Sequence, residues 1–423
     1  MEKQAVVPFT KYQKLVIFML AVTQFTVILD FMVMSPLGDM LMKNLNISPT
    51  RFGIAVSAYA FSAGLSGLLT AGFADKFDRK KLLLFFYTGF IVGTLFCGLA
   101  HSYFELITAR IITGLFGGVI GSVALAIITD LFTLQQRGRV MGFVQMGFGA
   151  SQVLGVPIGL ALANVWGWEA AFLMVAGLAL VIAVFILTSM KPVTEHLAFQ
   201  NDRSAVGHLF KTIASRRYRI GFTATALMSI GGFMMMPFGS AFAVNNLGVT
   251  YTQLPILFMI AGVGSLFIMP IVGKLSDKKD KLKIFAVASI WLMVMCIVYT
   301  NLSVIPFFVV VILNILMMMS VTSRMIPSMA LVSAVPDSKD RGAFMSINSS
   351  LQQIAGGVAA AVAGMIVTQP TKTSPLEHYN IVGYVVVVIS MLSIFQIYRV
   401  NMLVKSKMKD ARPALHPEPI VSE

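Results

Sequence analysis

The stretch "GFADKFDRKK", Gly72 to Lys81, sets seven ionisable or glycine residues into ten positions of an otherwise apolar chain. A near copy, "GKLSDKKDKLK", runs from Gly273 to Lys283. Asp75 and Asp277, which open the shared Asp-Lys-x-Asp-Arg/Lys phrase, are 202 residues apart. A second pair of phrases, "RGRVMG" from Arg137 and "RGAFMS" from Arg341, is offset by 204. Two independent matches at nearly one offset mark the chain as a duplication.

The rest of the composition says what surrounds each charged phrase. Of 423 residues, 57% are hydrophobic and only 12% charged, with a mean hydropathy of +0.83. Soluble domains carry about 25% charged residues. Half that charge cannot coat a globule of this size, so lipid must solvate most of the surface. Apolar runs of about 20 residues, long enough to span a bilayer, recur along the whole chain. The pattern predicts twelve spans at 14–37, 51–74, 82–100, 104–129, 140–164, 170–190, 219–244, 253–273, 284–301, 304–333, 342–367 and 379–400. The first run follows Lys11 and Lys14 and leads straight into further spans, unlike a cleavable signal.

With that topology, the termini and the loops on their side collect 27 Lys and Arg, and the opposite loops only Lys43, Arg51 and Lys372. This is the positive-inside pattern, which predicts a multi-pass protein of the cell inner (plasma) membrane with both termini cytoplasmic. The net charge of +14 then orients the chain and implies no nucleic acid. Cys97 and Cys296 fall inside spans, and all five histidines lie in loops or at span ends. No metal-ligand spacing and no intramembrane Ser/His or Cys/His pair results, so neither a metal nor an enzyme is expected. A phosphate-binding loop is missing as well, which excludes an ATP-driven pump.

The longest polar interruption, 191–218, divides the chain into an N-terminal six-helix bundle (1–190) and a C-terminal one (219–401), followed by a tail (402–423). The linker holds a candidate amphipathic helix in "VGHLFKTIASRRY". Parallel six-span halves about an axis normal to the membrane form a transporter architecture.

The motifs make the resemblance specific. "AGFADKFDRKK" resembles the signature loop between spans 2 and 3 of the major facilitator superfamily, with Ala71 at the first glycine position and Asp78 at the second. The later copy keeps Gly273 and Asp277 and again has an acid, Asp280, at the second glycine. "LITARIITGLFGG" resembles the family's fourth-span motif, whose arginine is linked to proton transfer, here Arg110, with Gly114 in its backbone. "GVPIG", Gly155, Pro157 and Gly159, is similar to the fifth-span antiporter motif of drug and sugar efflux members, with Val156 splitting the usual Gly-Pro. The resemblance implies an all-α fold of twelve spans in two pseudo-twofold six-helix bundles, acting as a monomer. It implies a latch of Asp75, Arg79 and Asp130 in one half, with Asp277 in the other, and Asp75 facing Arg341 when the cytoplasmic side is shut.

Charges deep in the spans need a reason, because each costs at least about 2.5–3.5 kcal/mol on insertion scales. Asp30 is the deep acid, and Arg110 and Arg324 are the deep bases. At 1.5 Å per residue Asp30 and Arg110 lie at one depth, about 10 Å from the outer boundary. Asp30 is expected to exchange a proton with the extracellular side and Arg110 to tune it, because an Asp–Arg pair that loosens during a cycle changes proton affinity with conformation; a static ion pair is the alternative. Arg324 suits an anionic substrate group or the inner headgroups equally. Gln24, Tyr59, Gln145, Gln152, Asn348 and Gln352 are polar candidates for a substrate cavity, or interhelical hydrogen-bonding groups. Met-rich stretches such as Met234–Met236 could line that cavity or fill packing gaps, and Gly231-Gly232 before Pro237 predicts a break in span 7.

The expected function is proton-coupled efflux (antiport) of a small amphipathic or lipophilic compound, of multidrug type, by rocker-switch alternating access. The proton gradient, and no cofactor, supplies the energy. An importer or a lipid or lysolipid transporter of the same fold is the first alternative; a transport-dead scaffold or sensor is the second.

Overall fold

A computed structural model describes residues 8–70, 74–199, 205–337 and 340–410. Ala71 and Gly72 of the signature loop lie outside them, as does the side chain of Asp75. Twelve helices are long and apolar enough to cross a membrane. Spans 1 to 6 are Lys11–Val33, Pro49–Thr70, Arg79–Gly98, Tyr103–Leu131, Gln135–Trp166 and Glu169–Ser189. Spans 7 to 12 are Arg216–Asn245, Leu254–Lys278, Lys281–Thr300, Phe307–Ser333, Arg341–Ile366 and Tyr379–Lys407. Each corresponds to an expected span. The largest difference is span 12, whose helix continues to Asp410, past the expected start of the tail at 402.

The helix ends explain part of the duplicated phrase. Asp78 caps span 3, its carboxylate accepting from Lys80 N at 3.0 Å, and Asp280 caps span 9, accepting from Leu282 N at 2.8 Å. An acid at this position satisfies amides that have no partner within the helix, and it complements the positive end of the helix dipole. The second acid of each phrase therefore starts the next span. That accounts for aspartate where the family pattern has glycine.

Two spans are irregular. Span 5 passes through one π-helical turn, Ser151–Gly155. Pro157 follows at once and offers no amide to the preceding turn. Span 7 breaks at Met236–Phe238, around Pro237, before resuming as Gly239–Asn245. The break lies C-terminal to Gly231-Gly232, which stay within the helix. Proline, lacking a donor, decides the position. The linker forms the expected helix at Ala205–Ala214.

Spans 1 to 6 and 7 to 12 form two halves that meet on the face opposite the start of span 1 and the end of span 12, here the distal face as against the terminal face. The short helix Gly38–Asn44 follows span 1 there. Ser240 Oγ donates to Ser35 O at 2.8 Å, Thr50 Oγ1 to Gly364 O at 2.8 Å, and Asn164 Nδ2 to Tyr251 O at 2.8 Å. Spans 2 and 11 remain in contact as far as Gly67, where an added Cβ would lie 3.0 Å from Ser350 Oγ. The hydrogen bonds between the halves among the described residues all lie toward the distal face, whereas near the terminal face a Cβ added at Gly138, Gly142, Gly273 or Gly342 would meet nothing within 4 Å. The molecule is shut on the distal face and parted on the terminal face.

Candidate functional site

Asp30 and Arg110 form an ion pair, Arg110 Nη1 to Asp30 Oδ2 at 2.8 Å, with both side chains wholly buried. Thr94 Oγ1 of span 3 donates to the other carboxylate oxygen at 3.1 Å. The Arg110 guanidinium lies over the Tyr59 ring, 4.4 Å from its centroid. Its Nε and Nη2 are buried without a hydrogen-bond partner. A guanidinium carries five donors, so this one is left under-satisfied. The Asp30 carboxylate and the Tyr59 face are the contacts that offset burial of its charge.

Small residues of the motifs put it there. A Cβ at Gly114 would come within 3.0 Å of Tyr59 Cα, so glycine lets span 4 lie directly on span 2 and slide Arg110 beneath the Tyr59 ring. Gly155 and Gly159 do the same for spans 5 and 1, where added Cβ atoms would approach Leu29 Cδ1 to 2.6 Å and Val33 Cγ2 to 3.1 Å. Leu29 and Val33 flank Asp30 on span 1. Pro157 and the π turn set the helix that carries both glycines.

Aromatic rings seal the pair from the gap between the halves. Tyr59 packs on Phe31 at 5.4 Å, and Phe31 on Phe233 of span 7 at 5.7 Å. Phe233 belongs to the other half and ends the helix just before the break in span 7. Movement of the halves that withdraws Phe233 removes the outer layer of this plug. The positions 204 residues on from Asp30 and Arg110 are Met234 and Asn314, so the charged pair belongs to one half only.

The remaining candidates are distributed as follows. Tyr59 is part of the ion-pair site. Asn348 Oδ1 accepts from Thr225 Oγ1 at 2.6 Å and ties span 11 to span 7. Gln24 and Gln152 are half-buried, and Gln145 and Gln352 are exposed. Arg324 is buried, with Nη2 3.6 Å from Met228 Sδ, its guanidinium 5.4 Å from the Phe285 ring centroid, and Nε unpartnered. It is therefore enclosed by side chains of spans 7 and 9. Among the described residues it has no carboxylate partner.

On the terminal face Arg79 Nε binds Asp130 Oδ2 at 3.1 Å, and Nη1 donates to Ala74 O. The linker closes over this pair: Val193 N donates to Asp78 Oδ1 at 2.9 Å, and the His196 ring lies 3.3 Å from Asp130. Asp277 and Arg341 are exposed, with no ion pair among the described residues. Arg79 and Asp130 are thus paired within one half, and Asp277 and Arg341 take no part in that pair.

The chain matches the Major Facilitator Superfamily over residues 20–360. It belongs to that superfamily. The protein is therefore a multi-pass membrane transporter and not an enzyme. An uncharacterized MFS-type transporter of Bacillus subtilis, YbcL, is 25% identical over 93% of this chain and 98% of its own. The multidrug resistance protein fnx1 of Schizosaccharomyces pombe is 33% identical over 28% of this chain and 22% of its own. A bacterial homolog of the human lysosomal transporter Spinster, solved inward-facing and unoccupied, covers 96% of this chain and 100% of its own with a TM-score of 0.76 at 15% identity. That likeness carries the facilitator fold.

Proposed function

We propose that this facilitator exports a small amphipathic or lipophilic compound in exchange for protons, with the terminal face cytoplasmic and the present state open inward. The observation that carries the reading is the Asp30–Arg110 pair. It is a wholly buried acid paired with one arginine and sealed by a ring from each half. In the inward state the pair is closed and Asp30 is ionised. When the halves rock, Phe233 withdraws, water reaches Asp30 from outside, and loosening of the Arg110 contact raises the carboxyl's affinity for a proton. Return to the inward state restores the pair and expels the proton. Similarity to a multidrug resistance protein supports efflux. Reconstituted protein should take up protons when substrate is added; liposomes that move substrate with no matching proton flux would overturn the coupling.

Arg324 favours a substrate that carries an anionic group. A buried guanidinium without a carboxylate is costly, and a substrate anion reaching it as spans 7 and 10 shift would supply the missing charge. Arg324→Gln should raise KM for an anionic substrate by about tenfold or more, since a charge-assisted hydrogen bond contributes about 1.5–3 kcal/mol. Neutral substrates should be little affected. Equal losses for both classes would assign Arg324 to structure alone.

A further inference from the structure

The linker helix Ala205–Ala214 has an apolar face that the protein covers only in part. Thr212 is buried, and Leu209 packs half-buried on the core of the second half, so this side rests on spans 7 and 11. At the 3.6-residue period Leu209, Ile213 and Phe210 share an arc of about 100°. Phe210 and Ile213, at its far side, are left 68% and 41% exposed. From Ala205 to Arg219 the chain has no acid and four cations, Lys211, Arg216, Arg217 and Arg219. Arg217 lies 3.9 Å from Asp337, and the His208 ring 3.5 Å from Asp340. Lys211, Arg216 and Arg219 are exposed and make no ion pair among the described residues. Span 7 starts at Arg216, directly after the helix and Ser215. The helix therefore lies where a span leaves the bilayer on the terminal side.

We propose that this helix is an interfacial anchor that binds anionic phospholipid in the leaflet on the terminal side. Phe210 and Ile213 enter the boundary between headgroups and acyl chains, and Lys211, Arg216 and Arg219 take the lipid phosphates. Arg216 and Arg219, three residues apart, share one face of the first turn of span 7. Charge decides the lipid class. Three unpaired cations with no acid among them match a net negative headgroup, whereas a zwitterionic one brings its own ammonium. A segment that only orients the chain needs the cations, but gains nothing from a phenylalanine held in water. The helix is seated on the second half, so the lipid contact belongs to that half. The inference is independent of transport direction, substrate and proton coupling.

The test uses the full chain in lipid nanodiscs, with a bimane fluorophore on Phe210→Cys or, separately, on Ile213→Cys; native Cys97 and Cys296 are buried. The quencher is phosphatidylglycerol or phosphatidylcholine carrying a nitroxide on its acyl chain, at equal mole fraction. Both lipids should quench. Phosphatidylglycerol should associate about tenfold more tightly or better, since each Lys or Arg near an anionic surface contributes about fivefold. Added salt should shrink that preference. Lys211→Gln/Arg216→Gln/Arg219→Gln should abolish it while quenching by phosphatidylcholine persists, which shows the helix still seated in the bilayer. Equal quenching by the two lipids in the native background, or a preference that the triple variant keeps, would overturn the proposal. Quenching by aqueous iodide in place of lipid would put this face in water, and quenching by neither would mean that the chain itself covers it; either result ends the inference.

Discussion

Asp30→Asn should reduce proton-driven transport to the level of protein-free liposomes, while counterflow exchange of labelled substrate persists. The substitution is isosteric and neutral, so it mimics the protonated acid permanently. It leaves Arg110 wholly buried with no counter-charge, beside two nitrogens that already lack partners. Removing one member of a buried pair costs about 3–5 kcal/mol, so a fall in thermal stability should accompany the loss. The double variant Asp30→Asn/Arg110→Gln separates the two effects. It removes the orphaned charge and should recover most of the stability, while proton-driven transport stays absent. Recovery of transport together with stability would make the pair a structural strut. Proton-driven transport at the native rate in Asp30→Asn would end the coupling scheme.

That pair also shows how far the sequence could be read. Helical rise alone puts residues 30 and 110 at one depth, and the structure seats them 2.8 Å apart. Depth does not reveal lateral closure. Nothing in the sequence shows that Tyr59 and Phe31 would cover the pair, or that Phe233 would complete the cover from the other half. The fold was legible for a simpler reason: span length and apolar composition are local properties, and the two charged phrases announce the duplication. A distal cluster, in which the Asp39 carboxylate accepts from Lys43, Asn245 and Tyr251, escaped notice because Asp39 reads as an ordinary loop acid. Its partners Asn245 and Tyr251 lie more than 200 residues away, brought close only by the meeting of the halves. Asp78 departs from the family pattern in sequence, and its bond from Lys80 N makes it a cap.

Gly364→Val should drive the molecule toward the form open on the distal face. In the shut state, a Cβ at this position would lie 2.9 Å from Pro49 O, 3.2 Å from Gly53 Cα and 3.3 Å from Thr50 Cα. These are backbone atoms of the other half, which cannot yield as a side chain can. Gly53 faces the same constraint from the opposite side, its added Cβ falling 2.7 Å from Ala360 O. The valine must therefore force spans 2 and 11 apart and weaken the Thr50 bond to the Gly364 carbonyl. Overpacking of this kind costs about 1–3 kcal/mol, and a penalty borne by one state alone shifts the equilibrium about five- to 150-fold. A cysteine at Ser35, buried beneath Ser240 when the halves are shut, should then react with a membrane-impermeant maleimide faster by that factor. Gly138→Val serves as the comparison, since a Cβ there meets nothing within 4 Å, and should leave the rate unchanged. Equal labelling in Gly364→Val and the native background, with both chains folded, would mean that the glycine contact between spans 2 and 11 does not control closure.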